Sequence, residues 1–247
     1  MPYLAAATEA ARAAGDLLRA QFQQPLTVTA ALAHDIKLEV DVLAQNLIGE
    51  MLLRRFPEHA LYGEEGIVGD QESDYQWVVD PLDGTVNYFY GIPHFCVSIA
   101  LRFRREIILG VIFDPIRDEL WATEKGQPPL FNGAKCHVSA RANLADAILS
   151  VGLSKTTTTI EAGFPLLEKM VHRARKCRLL GSAALDMAYL ACGRLDAYIE
   201  QGISLWDVAA GWILVENAGG KVELRPRRDA PDKFSIVASN GLLDLRV

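Results

Sequence analysis

The sequence predicts an α+β protein, with helices and an antiparallel sheet first and a mixed α/β part second. Three observations carry this. Residues 3–22 and 41–56 repeat apolar side chains at helical spacing. Residues 95–123 read as three consecutive strands separated by turns. After Gly133, strands and helices alternate, which points to a mixed α/β second lobe.

The first helix is rich in alanine and broken by Glu9, Arg12, Asp16 and Arg19, so it reads as amphipathic, neither a signal peptide nor a membrane span. In the second, Val42, Leu43, Leu47, Ile48, Met51 and Leu52 form the expected apolar face, and Pro57 ends it. Residues 23–40, with Pro25 and several threonines, suit a loop or short hairpin. Leu61-Tyr62-Gly63 and Trp77-Val78-Val79 are short strands, the second ending at Asp80. Strands at 95–103, 107–113 and 119–123 form the meander. A strand at 148–152 precedes a threonine-rich loop (156–159) and a helix over 162–175. Leu179-Leu180 reads as a strand, 183–192 as a helix, 195–200 as a strand, 206–217 as a helix and 235–238 as a last strand. The expected division is an N-terminal lobe, 1–140, and a C-terminal lobe, 141–247.

Composition narrows the function. Half the 247 residues are apolar and 23% are charged, which argues for a globular chain over a disordered one. The net charge of −6 provides no footprint for nucleic acid or an anionic membrane, so neither partner is expected. Cys96, Cys136, Cys177 and Cys192 form no CxxC spacing. They read as reduced, mostly buried thiols, consistent with a cytoplasmic protein.

Chemistry concentrates in acidic residues beside apolar runs, where an unpaired carboxylate is costly to desolvate. Glu64 lies in Gly63-Glu64-Glu65-Gly66. Asp80 and Asp83 lie in Asp80-Pro81-Leu82-Asp83-Gly84-Thr85. Asp207 opens a helix in Trp206-Asp207-Val208-Ala209-Ala210-Gly211. Oxygen ligands of this kind suit Mg²⁺, which usually acts on phosphates. Pro81 stiffens the bend between the two aspartates, and the Leu82 carbonyl adds a candidate ligand. Gly84 lets backbone approach a phosphate, and Thr85 supplies a hydroxyl. The haloacid-dehalogenase pattern Asp-x-Asp-Gly-Thr is excluded, because two residues separate these aspartates and the motif follows two helices.

These segments, with Glu216-Asn217-Ala218-Gly219-Gly220, resemble the inositol monophosphatase family of Mg²⁺-dependent, lithium-sensitive phosphatases. The resemblance spans nearly the whole chain and implies a layered αβαβα sandwich of the inositol monophosphatase/fructose-1,6-bisphosphatase type. It implies Glu64, Asp80, Leu82, Asp83 and Asp207 as metal ligands, and Asp41, Thr85 and Glu64 as catalytic residues, with Asp41 paired to Thr85. Gly84, Thr85, Gly181, Ser182, Ala183 and Glu200 become the substrate contacts, and a homodimer is expected.

Two segments depart from the family pattern. Thr29-Ala30-Ala31-Leu32 stands where a lysine is frequent, with Lys37 nearby, and Tyr90 stands where histidine is common. The expected reaction is in-line hydrolysis of a phosphate monoester, with inositol 1-phosphate favoured because Glu200 suits a polyol. Fructose 1,6-bisphosphate, histidinol phosphate, 3′-phosphoadenosine nucleotides and NADP are the alternatives within the enzyme class. No lysine or arginine for a second phosphate is evident; the basic run Arg173, Arg175, Lys176, Arg178 reads as a solvated helix face. From another class, a non-catalytic regulatory protein on this scaffold would bind a partner, such as transcription machinery, without turnover.

Overall fold

The computed structural model describes residues 2–32, 35–153, 156–228, 230 and 232–246. The chain opens with α1 (Pro2–Gln21), β1 (Val28–Leu32), β2 (Asp35–Leu38), α2 (Glu39–Arg55), β3 (Ala60–Gly63), β4 (Gly66–Val68), β5 (Tyr75–Asp83) and α3 (Thr85–Phe89). The meander follows as β6 (Cys96–Phe103), β7 (Glu106–Asp114), β8 (Glu119–Glu124), β9 (Leu130–Phe131) and β10 (Ala134–Lys135). The second half comprises β11 (Ile148–Gly152), α4 (Thr157–Arg173), β12 (Lys176–Arg178), α5 (Ala183–Ala191) and β13 (Ala197–Ile203). It closes with α6 (Leu205–Asn217), β14 (Lys221–Pro226) and β15 (Phe234–Ser239).

Five layers result. An eight-stranded sheet runs β10-β9-β8-β7-β6-β5-β3-β4, and a five-stranded sheet runs β12-β11-β13-β15-β14. α1 and α2 cover one face of the large sheet, α5 and α6 lie between the sheets, and α4 covers the outer face of the small one. Burial explains the order. Ala6, Ala7, Ala10, Ala11, Ala14, Gly15 and Leu18 are the buried face of α1. Small side chains let this helix lie close to the sheet: a Cβ on Gly15 would stand 2.5 Å from the Phe113 ring. α5 and α6 are apolar nearly all round because both faces are covered. Val78, Ala100, Ile112 and Trp121 of the large sheet and Tyr198, Ile236 and Ala238 of the small one share one core with these helices.

Several sequence expectations shift. The buried face of α2 is Val40, Asp41, Ala44, Gln45, Ile48, Gly49 and Leu52, while Val42 and Leu43 are exposed. Two polar side chains occupy the inner face: Gln45 bonds the turn after β3, and Asp41 accepts from the Leu38 N–H. Thr157–Thr159 belong to α4 rather than to a loop: Thr156 is its N-cap and accepts from the Thr159 N–H at 3.3 Å. β12 precedes Leu179, and β5 continues past Asp80. Only Cys96 is buried; the other three thiols are half-buried. Within Tyr88–Phe95, Tyr88 and Phe95 are core, whereas Tyr90 and Ile92 are exposed.

Candidate metal-phosphate site

A β-bulge shapes the centre. Asp80 pairs with Ser98 and Asp83 with Cys96, so three steps along β5 oppose two along β6. Pro81, which cannot donate to a ladder, sits in that bulge. The Leu82 N–H turns back to donate to Asp80 Oδ1 at 3.0 Å. The bend sends the two aspartates to different neighbours.

Asp80 meets Glu64 and Asp207, and one oxygen from each of the three lies within 4.8 Å of the others. Glu64 occupies the two-residue turn between β3 and β4, where its N–H donates to the Val79 carbonyl at 3.1 Å. Gln45 braces that turn, accepting from the Glu65 N–H at 3.0 Å and donating to the Gly66 carbonyl at 3.2 Å. Its amide occupies the space that a Cβ on Gly63 would need. Asp207 sits in the first turn of α6, where Oδ2 accepts from the Ser204 N–H at 2.8 Å. A turn, a bulge and a helix start thus converge three carboxylates. Hard oxygen donors gathered this way fit Mg²⁺ and offer nothing soft to select zinc thiolate chemistry.

Asp83 faces the start of α5. Its Oδ2 accepts from Ser182 Oγ and from the Ala184 N–H, both at 2.6 Å. It is therefore hydrogen-bonded to the start of α5 and is not one of the three converging acids. Burial pushes its carboxyl up to about 6, against the pull of the Ser182 and Ala184 donors. Asn87 makes a parallel link, donating to the Leu180 carbonyl at 2.8 Å and the His94 carbonyl at 2.9 Å.

A cavity of about 710 Å³ joins these groups. Its walls include Glu64, Asp80, Leu82, Asp83, Gly84 and Thr85, and also Gly181, Ser182, Ala183, Glu200 and Asp207. The expected ligands and substrate contacts are therefore gathered in one place. Gly84 and Gly181 have φ of 97° and 82°, the left-handed region that favours glycine. Glu200 is buried and accepts from the Tyr198 hydroxyl, and Gly152 leaves room for its carboxylate.

Asp41 is the exception. It is buried outside the cavity wall, with Oδ2 accepting from the Leu38 N–H at 2.7 Å and Oδ1 without a partner. Burial pushes it up to about 7. The expected Asp41–Thr85 bond is not made; Thr85 Oγ1 donates to the Leu82 carbonyl at 3.0 Å. Lys37 forms a 2.8 Å ion pair with Glu65.

Sequence reasoning missed Asp186, Tyr198 and Lys233, all on the cavity wall. Asp186 is buried, accepts from Ser150 Oγ at 2.6 Å, and is pushed well above the usual carboxylate range by burial. Asp186 and Tyr198 read as ordinary interior positions of a helix and a strand, and Lys233 as one more charge in a polar turn. Only the register opposite β13 would have signalled that turn's proximity.

The sequence model of the inositol monophosphatase family matches residues 1–245. A protein of Mesorhizobium japonicum named inositol-1-monophosphatase is 38% identical over 240 residues, 95% of this chain and 90% of its own. Nus factor SuhB of Xylella fastidiosa is 40% identical over 243 residues, 94% of this chain and 88% of its own. A crystal structure of the extragenic suppressor protein SuhB from Bartonella henselae superposes with a TM-score of 0.91 at 34% identity, covering 98% of this chain and 95% of that one. Family model, relatives and five-layer fold agree, and the chain belongs to the inositol monophosphatase family.

Proposed function

We propose that this protein is a Mg²⁺-dependent phosphate monoester hydrolase acting on inositol 1-phosphate or a closely similar polyol phosphate. The observation that carries this is the convergence of Glu64, Asp80 and Asp207 at one end of a cavity that also presents Gly84, Thr85 and Glu200. Family membership supports the class of reaction.

Glu64, Asp80, Asp83, Asp207 and the Leu82 carbonyl would hold the metal, Asp83 through the oxygen not committed to Ser182 and Ala184. Bound Mg²⁺ would supply charge neutralisation and an acidified water for in-line attack. Gly84 and Thr85 cradle the phosphoryl group: Gly84 lets the backbone approach it, and Thr85 adds a hydroxyl. Gly181, Ser182 and Ala183 line the alcohol side, where Glu200 accepts hydroxyl hydrogen bonds. Thr85 and Asp41 position or deprotonate the attacking water. That role requires Thr85 to give up the Leu82 carbonyl. Two copies pairing through the exposed Tyr90 and Ile92 would form the dimer, in the cytoplasm.

The test is Mg²⁺-dependent phosphate release across inositol 1-phosphate, fructose 1,6-bisphosphate, histidinol phosphate, 3′-phosphoadenosine 5′-phosphate and NADP. Preference for the inositol ester supports the role of Glu200. Preference for another keeps the reaction and moves the substrate. The name Nus factor on several relatives motivates a second reading, a partner-binding protein. It would show metal binding with no turnover of any ester.

A further inference from the structure

Lys233 stands in the turn before β15, at the same end of the cavity as Asp207. Its Nζ donates to Ser204 Oγ at 2.5 Å, and the Ser204 N–H in turn donates to Asp207 Oδ2 at 2.8 Å. One residue thus links the ammonium to the carboxylate cluster. The ammonium also lies 5.8 Å from the centre of the Trp206 ring, and Trp206 is itself packed against Tyr62 with ring centres 5.3 Å apart. Lys233, Ser204 and Trp206 all line the cavity.

An ammonium has three donors, and Ser204 takes one. Among the described residues, Lys233 forms no ion pair. A cation held by an aromatic face and a hydroxyl, with donors to spare, is a compact point charge of the kind that binds phosphate. Its position also matters. Three carboxylates within 4.8 Å repel a phosphate dianion, and a cation fixed by the protein offsets that repulsion.

We propose that Lys233 is a phosphate-binding residue of this pocket, its ammonium donating to an oxygen of the phosphoryl group. This rests on the phosphatase reading and deepens it. Lys233 contacts the group common to all candidate substrates, so it sets affinity for phosphate and leaves the choice of alcohol to Glu200 and the α5 wall.

The experiment uses the full chain and compares wild type with Lys233→Met, Lys233→Gln and Lys233→Arg. Gln keeps a donor for Ser204 and loses the charge; Arg keeps the charge. Calorimetric titration with inorganic phosphate in Mg²⁺ is the first measurement. KM for inositol 1-phosphate and 4-nitrophenyl phosphate is the second. Met and Gln are expected to weaken phosphate binding on the order of tenfold and to raise both KM values by the same factor, with Arg restoring most of it. Phosphate affinity within twofold of wild type in both Met and Gln overturns the proposal. So does a change confined to one ester, which would assign Lys233 to the alcohol. If wild type binds phosphate through Lys233 and hydrolyses neither ester, the assignment stands and the phosphatase reading falls.

Discussion

The two walls of the cavity use the same residue types to opposite ends. On one, Glu64, Asp80 and Asp207 point oxygens at one another. On the other, each acid faces a hydroxyl: Asp83 faces Ser182, Asp186 faces Ser150 and Glu200 faces Tyr198. Carboxylates that face each other are suited to sharing a cation. Carboxylates that face donors form a network that shapes a surface. Under the proposed function, the first wall would hold metal and the second would contact the alcohol. Asp83 is the hinge between them, with one oxygen committed to the helix side.

The largest expected effect breaks that hinge. Asp83→Asn keeps an oxygen for Ser182 and Ala184, so the fold survives, while turnover falls at least about 100-fold. Near-normal phosphate release with saturating Mg²⁺ would remove Asp83 from the metal wall. The second test adds the cation. Mg²⁺ at a hundredfold excess over its Kd should raise the melting midpoint by roughly 5–10 °C. Asp207→Asn should abolish most of that rise; an unchanged rise would place the ion elsewhere.

A smaller effect probes the recognition wall. Tyr198→Phe removes the donor that orients Glu200 and should raise KM for inositol 1-phosphate roughly fivefold. KM for 4-nitrophenyl phosphate, which has no polyol for Glu200 to hold, should stay put. Equal changes for both would make Tyr198 merely structural.

The smallest effect is a pH dependence of the metal-free protein. Asp41 is raised to about 7 and Asp83 to about 6 in the fold. Raised carboxyls contribute stability fully present below their unfolded value, about 4, and lost as pH rises through the folded values. Chemical denaturation should therefore show stability falling between pH 4 and 7. Asp41→Asn should flatten the upper part of that slope, and a slope unaltered by this change would count against Asp41 as its source.

The acids of the site were legible because motif spacing around Asp80, Asp83 and Asp207 is local and unusual. Their division of labour was not. Nothing in Asp80-Pro81-Leu82-Asp83 reveals the bulge that parts the two carboxylates, since the bulge exists only against Ser98 and Cys96. The inner face of α2 was misread because Asp41 and Gln45 break the apolar stripe that Val42 and Leu43 suggested. The main strands and helices were readable from periodicity. The short strands β4, β9 and β10 were not, because two or three residues carry no period, and β14 is interspersed with Lys221, Glu223 and Arg225. Lys233 gains its meaning only when β15 folds against β13.

The shared central layer has a consequence for synthesis on the ribosome. The large sheet is complete in sequence by Lys135, yet the helix that covers Val78, Ala100 and Ile112 begins at Leu205. At about 5–20 residues per second, some seventy residues take several seconds to emerge. During that interval a broad apolar sheet face awaits its cover. Nascent chains arrested before Leu205 should therefore bind chaperones that those arrested beyond the end of the chain release.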